Sequence, residues 1–352
     1  LVQATDGTFY GTADAGGAYF GGTVFQVTPA GTLTALYNFC SQPNCSDGDE
    51  PYAGLLQVSD GNFYGTTAYG GGSGGGTVFR VTRSGSLTTL HSFNGADGSL
   101  PTGVLVQASG GNFYGTTSQG PPDEYIGTVF KMTSGGTLTT LYNFCSQPNC
   151  ADGGSPYAGL VQATDGNFYG TTIYGGEGWP CCGTVFKITP GGTLTTLYMF
   201  TGGSDGNFPY AGLVQATDGN FYGTTGFGGA NGGGGTFFRI TPSGTLTTLY
   251  SFCSQPNCAD GGGSYGGLVQ ASDGNFYGTT CCGGAYGSGT VFKMTPTGVL
   301  TTLHSFDPDG EYFISGLVQA TDGNFYGTTQ AAGGNGTVFR VGVVRTCATC
   351  RP

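Results

Sequence analysis

Apolar and polar positions alternate along this chain in short bursts, each ended by glycine, and no stretch repeats its apolar residues at helical spacing. Four bursts recur in fixed order: LVQAT, NFYGTT, TVFKIT and LTTLYNF. Thr, Val, Phe and Tyr dominate them, as suits a pleated, half-buried strand. Asp-Gly separates the first two bursts, and TPGG or TPSG the second two, so each pair predicts a β-hairpin. The Asp-Gly turn is expected to hold positive φ at its central residues. In LTTLYNF apolar groups fall on both side-chain parities, which predicts a strand buried on both faces.

The set repeats along the whole chain. The Gln of the first burst stands at 3, 57, 107, 162, 215, 270 and 319, a spacing of 49 to 55 residues. The third burst also occurs seven times; the fourth occurs six times, ending at Phe39, Phe93, Phe144, Phe200, Phe252 and Phe306. Four-stranded units of this length, packed face to face, predict an all-β, seven-bladed β-propeller with one repeat per blade. The blades are expected near 1–50, 51–101, 102–155, 156–208, 209–263, 264–312 and 313–343. Residues 344–352 are a candidate fourth strand for blade seven; otherwise its edge is a template for another chain.

Composition narrows the class. Of 352 residues 73 are Gly and only 8% are charged, but 37% hydrophobic and 13% aromatic content argues against disorder. No apolar run reaches the ~20 residues of a membrane helix. A net charge of −11 with nine Lys and Arg argues against a nucleic-acid partner.

The GLVQATDGNFYGTT–GTVFKITPGGTLTTLY pattern resembles the GloVer-type tandem repeat of bacterial proteins exported to the cell surface, whose members carry alternative C-terminal anchors. The likeness covers essentially the whole chain. It implies an extracellular or cell-surface location and supplies no catalytic residue. This chain starts at Leu1 without a signal peptide and ends at CATCRP without a sorting signal, so a processed or truncated product without its own anchor is expected.

A meandering blade puts its two short turns on one face of the disc and its longer loops and blade connections on the other. The long set varies between copies, which marks it as the binding face. It gathers Tyr19, Tyr69, Tyr125, Tyr174, Trp179, Phe227 and Tyr286 in the loops between second and third strands. Exposed rings of this kind stack on sugars or pack against proteins. Tyr52, Tyr157, Tyr210, Tyr265 and Tyr312 in the connections are expected to plug gaps between blades.

Twelve cysteines fall into local pairs: Cys40/Cys45, Cys145/Cys150 and Cys253/Cys258 in CSQPNC, adjacent Cys181/Cys182 and Cys281/Cys282, and Cys347/Cys350. An even count in repeated pairs predicts disulfides and an oxidising compartment. Zinc would need two converging pairs, which a lone CxxC and two His do not supply. Asn44 and Asn335 begin N-x-S/T sequons and are candidate glycosylation sites.

Charges follow the repeat. Lys or Arg follows VF or FF at 80, 131, 187, 239, 293 and 340, and Asp stands in the turn at 6, 60, 165, 218, 273 and 322; their pairing is expected to be structural. The Gln series is expected to line the channel or bond neighbouring blades. A second Asp series, at 47, 97, 152, 205, 260 and 309, is expected to shape connections by bonding backbone, since one carboxylate per loop is too few for Ca²⁺. His91 and His304 replace the Tyr of LYNF and are repeat variants, not a catalytic pair. Only the loops 121–127 and 173–183 break the symmetry as a catalytic site would, and only weakly, so an enzyme is not expected. The sequence therefore predicts a non-enzymatic structural or adhesive protein acting through protein contacts, with a subunit of an extracellular filament or surface assembly as one form and a lectin-like propeller as the alternative. No cofactor or metal is expected.

Overall fold

The computed structural model describes residues 1–121, 125–176, 181–307, 311–312, 315–331 and 336–342. Seven antiparallel sheets form a ring, a seven-bladed β-propeller. Blade four typifies them, with Val161–Gln162, Phe168–Thr172, Thr184–Ile188 and Leu194–Met199 paired in sequence order. Among the described residues the helical content is three single turns, each the PNC of a CSQPNC loop.

The FY dipeptide of each second strand joins the blades. Its Tyr stacks on the Phe of the next blade: Tyr10–Phe63, Tyr64–Phe113, Tyr114–Phe168, Tyr169–Phe221, Tyr222–Phe276 and Tyr277–Phe325 have ring centroids 4.0–4.5 Å apart. Tyr326 of blade seven closes the ring on Phe9 of blade one at 4.3 Å. Further out, the last Phe of each fourth strand meets the Phe of the next third strand, as in Phe144–Phe186 at 5.1 Å. Phe, Tyr and Val residues of these inner layers are almost fully buried, at roughly 1.5–3 kcal/mol apiece. The core is thus seven apolar slabs between blades, with no common centre.

Gln of the first strand ties blades at the inner rim. Its Oε1 accepts the backbone N–H of the preceding blade at Thr164 from Gln215, Thr217 from Gln270 and Ser272 from Gln319, all 2.9–3.0 Å. Gln3 does the same for Thr321 across the closure, at 2.8 Å.

Two expectations are corrected. Fourth strands are half-exposed, not buried on both faces: Leu194–Met199 lies at the outer rim, and Leu33 is 63% exposed. Second and third strands, flanked on every side, are the buried ones. The Asp-Gly turn is also one residue longer than expected. Gly166 N–H bonds Ala163 O and Ala163 N–H bonds Asn167 O, so only Gly166, at φ 80°, needs the left-handed region. In blade seven the connection strand Glu311–Tyr312 pairs with the end of Phe325–Ala331, the same connection-to-loop pairing that other blades make, such as Asp49 with Tyr69. Thr337–Val341 has that same strand as its one strand partner among the described residues. Residues 344–352, including Cys347 and Cys350, lie outside them.

Candidate functional site: the loop face

The long loops and connections share one face of the disc. They are pinned by a short antiparallel bridge between each connection and the loop that follows, such as Gly154 with Tyr174 and Asn207 with Phe227. Inside three of the connections a buried carboxylate organises the backbone. Asp152 accepts Tyr142 OH at 2.8 Å, Ser146 N–H and Oγ–H at 2.9 Å, and Gln147 N–H at 3.3 Å. Asp47 and Asp260 repeat this arrangement. Burial opposes the charge on Asp260, but these bonds hold its carboxyl below the usual range. Burial and the facing carboxylate push Tyr142, Tyr198 and Tyr250 up to about 12. His91 takes the tyrosine's place in blade two, with Nε2 2.8 Å from Asp97.

The disc's other face carries the charge pairs. Lys187 lies 3.1 Å from Asp165 and Lys293 2.9 Å from Asp273. Burial resists ionisation of Asp165, yet Asn167, Lys187 and Tyr169 bring its carboxyl down to about 2.

Aromatic residues link blades three to six across the loop face. Tyr125 meets Tyr174 at 5.8 Å, Tyr174 meets Phe208 at 5.7 Å, Phe208 meets Phe227 and Phe227 meets Tyr265 at 6.1 Å. Tyr265 continues to Tyr210 at 5.1 Å and Tyr210 to Tyr157 at 5.9 Å. Nearly all of these contacts are edge-to-face, which leaves a corrugated apolar strip. Three of the expected loop residues, Tyr125, Tyr174 and Phe227, belong to it. Tyr157, Tyr210 and Tyr265, expected as plugs, also belong, and Tyr157 is 36% exposed. Phe208 was not legible in the sequence as a contact residue; the structure holds it at φ 52°. Tyr19, Tyr69 and Tyr286 are exposed but outside this run of ring contacts. Trp179 lies outside the described residues, as do Asn335 and the side chain of Tyr312.

Phe20 was missed. It is 84% exposed at φ 64° beside Tyr19. The corresponding positions of three sister loops hold Gly74, Gly233 and Gly287, all at positive φ, so a Phe among glycines was the available signal.

Cys40–Cys45, Cys145–Cys150, Cys181–Cys182 and Cys253–Cys258 are bonded. Cys281 and Cys282 are thiols, contrary to the expected bridge. The pairs occupy opposite ends of their loops: Cys182 precedes a third strand at φ 146°, whereas Cys282 bonds Gly262 backbone directly after a second strand. The Cys281 thiol donates to Cys282 Sγ at 3.2 Å, which lowers Cys282 to about 7. Among the described residues one trio, Cys40, Cys45 and Asp49, has metal-ligand proximity, but two of its sulfurs are spent in a disulfide. Asn44 is exposed in the same loop.

No curated protein sequence matches this chain. Among solved structures it resembles the extracellular domain of a provisionally assigned hybrid two-component system from B. thetaiotaomicron, with TM-score 0.60 and 11% identity. That match covers 96% of this chain but 37% of the other, so the chain spans little more than a third of it. Provisionally assigned 6-phosphogluconolactonases from Bacteroides uniformis ATCC 8492 and Bacteroides fragilis NCTC 9343 give TM-scores of 0.58 and 0.53 at 15% and 18% identity. The first match covers 95% of this chain and 91% of the relative, the second 96% and 94%. Identities this low carry the fold alone. The repeat is more specific: residues 1–178 and 145–341 match one repeat family. The chain belongs to the Gloeobacter/Verrucomicrobia repeat family.

Proposed function

We propose that this propeller is an exported, non-enzymatic structural protein that works through protein–protein contacts, as a subunit of an extracellular assembly. The observation that carries the reading is the aromatic strip from Tyr125 to Tyr157. Its rings pack edge-to-face on one another, so much of their face area is already used, whereas a sugar needs an open face to stack on. Protein interfaces are enriched in Tyr and Phe at their cores. The disulfides in the loops suit an oxidising compartment.

Negative-stain imaging with light scattering on the natively isolated protein tests this. Regular polymers are expected; a monodisperse species at 35.6 kDa across the concentration range refutes it. Binding on a glycan array that Tyr157→Ala abolishes would favour the lectin-like alternative instead.

A further inference from the structure

Two thiols lie beside one of the three CSQPNC disulfides. Each of these disulfide loops continues into a connection that bridges to the next blade's loop: Asp49 with Tyr69, Gly154 with Tyr174 and Gly262 with Cys282. Where two sisters place an aromatic ring, blade six places a nucleophile. Cys282 is exposed, its sulfur 3.1 Å from Gly262 O and 3.2 Å from the Cys281 thiol that donates to it.

The residue between thiol and disulfide opens the path. A Cβ on Gly262 would lie 3.1 Å from Cys253 Sγ and 3.7 Å from Cys282 Sγ. Both sulfurs therefore border the one small space that a side chain would fill, and the glycine leaves it clear. In blade one the same position is Asp49, whose carboxylate lies within 4.8 Å of the Cys40 and Cys45 sulfurs. A negative charge there repels an approaching thiolate. In blade three the position is Gly154, but the facing residue is Tyr174. Of the three loop disulfides, Cys253–Cys258 alone has both the gap and the nucleophile.

We propose that Cys282 is the attacking thiol of an internal disulfide exchange with Cys253–Cys258. Its thiolate sulfur bonds Cys253 Sγ and the Cys253–Cys258 bond breaks. Cys258 leaves with the electron pair and takes a proton from solvent, replacing the one that Cys282 gave up. Cys282 is oxidised and Cys258 reduced, so the step needs no outside oxidant. Cys281 is the positioning residue. Its S–H favours the charged form of Cys282 against burial, bringing that thiol to about 7, and an attacking thiol works best near the ambient pH. Of the titratable groups on the connection packed against the pair, Tyr265 faces Cys281, and Asp260 is taken up by Tyr250 and Ser254. The product replaces a clip within one loop by a bond that ties blade five to the loop of blade six. A longer closed loop constrains the unfolded chain more. The exchange goes beyond the assembly reading and does not depend on it.

Peptic peptide mapping without reductant tests it, on oxygen-free, chelator-treated protein that is incubated across a pH series, acid-quenched and thiol-blocked. The two sister disulfides are internal controls. Above about pH 7, Cys258 should take at least ten times the label of Cys45 or Cys150, and a Cys253–Cys282 peptide should appear. Below it the label should fall on Cys281 and Cys282. Cys282→Ser should abolish both signals. Cys281→Ala should move the onset towards the ordinary thiol value of about 8.5, and Cys281→Ser should move it less, since a hydroxyl still donates. Gly262→Ala should slow the exchange while both thiols stay open to alkylation. Cys258 labelled no more than Cys45 and Cys150 at every pH would overturn the proposal. So would Cys258 label that persists in Cys282→Ser, or a Cys281–Cys282 bond in the starting protein.

Discussion

Asp152 offers the sharpest stability test because it is fully buried and accepts four hydrogen bonds. In Asp152→Ala the Tyr142 and Ser146 hydroxyls can rotate towards water, at about 0.5–1.5 kcal/mol each. The N–H groups of Ser146 and Gln147 cannot move without opening the loop, and each unsatisfied donor costs about 1–3 kcal/mol. Removing the carboxylate also relieves its desolvation, which offsets part of this. The net loss is about 3–5 kcal/mol. Unfolding entropy of about 2.1 cal/mol/K per residue over 352 residues converts that to a fall in Tm of about 4–7 °C. Asp97 accepts two bonds, from His91 and the Asn94 N–H, so Asp97→Ala should cost about half as much. Calorimetry of the oxidised protein reads both. A shift below about 2 °C for Asp152→Ala, or one smaller than that of Asp97→Ala, would refute the view that these carboxylates organise the connections.

Three further outcomes are expected. Gly170→Ala would place a Cβ 2.6 Å from Phe186 Cζ and 2.9 Å from Leu160 Cδ2; overpacking of about 1–3 kcal/mol should appear as a lowered denaturant midpoint. Asp165, Asp218, Asp260 and Asp273 all have carboxyl pKa values depressed by folding. Their stabilisation is present above the unfolded value near 3.9 and is lost as pH falls through the folded values. Tm should therefore drop between about pH 4 and pH 2, and less steeply in Asp165→Asn. Native alkylation without reductant should label Cys281 and Cys282 and spare the four bonded pairs; peptide mapping that finds no label there would contradict the thiol state.

The repeat made the blade count legible, because a spacing of about 50 residues bearing four strand patterns has few architectural solutions. Burial was misjudged where periodicity cannot see neighbours. LTTLYNF carries apolar residues on both parities, but only its terminal Phe is buried in the slab between blades, with its Leu and Tyr packed half-buried against it, since nothing lies outside an outermost strand. The FY dipeptide was read as strand propensity, and its division of labour, Phe towards the preceding blade and Tyr towards the next, exists only once blades are stacked. The described connection aspartates were expected to bond backbone and do so, while their capture of a fourth-strand Tyr or His needed the fold. Phe20 escaped because the repeat draws the eye to what recurs, and an exposed ring at a glycine position is what departs from it.

All seven junctions, the closure included, are built from the same Tyr–Phe stack. The ring therefore has no chemically privileged seam in its inner layer, and its count is a matter of angle alone. Duplication or loss of one repeat by slippage within the coding sequence would leave every stack intact and change only the tilt at which neighbours meet. Such a chain can alter the diameter of its ring in one genetic step, without inventing a new contact.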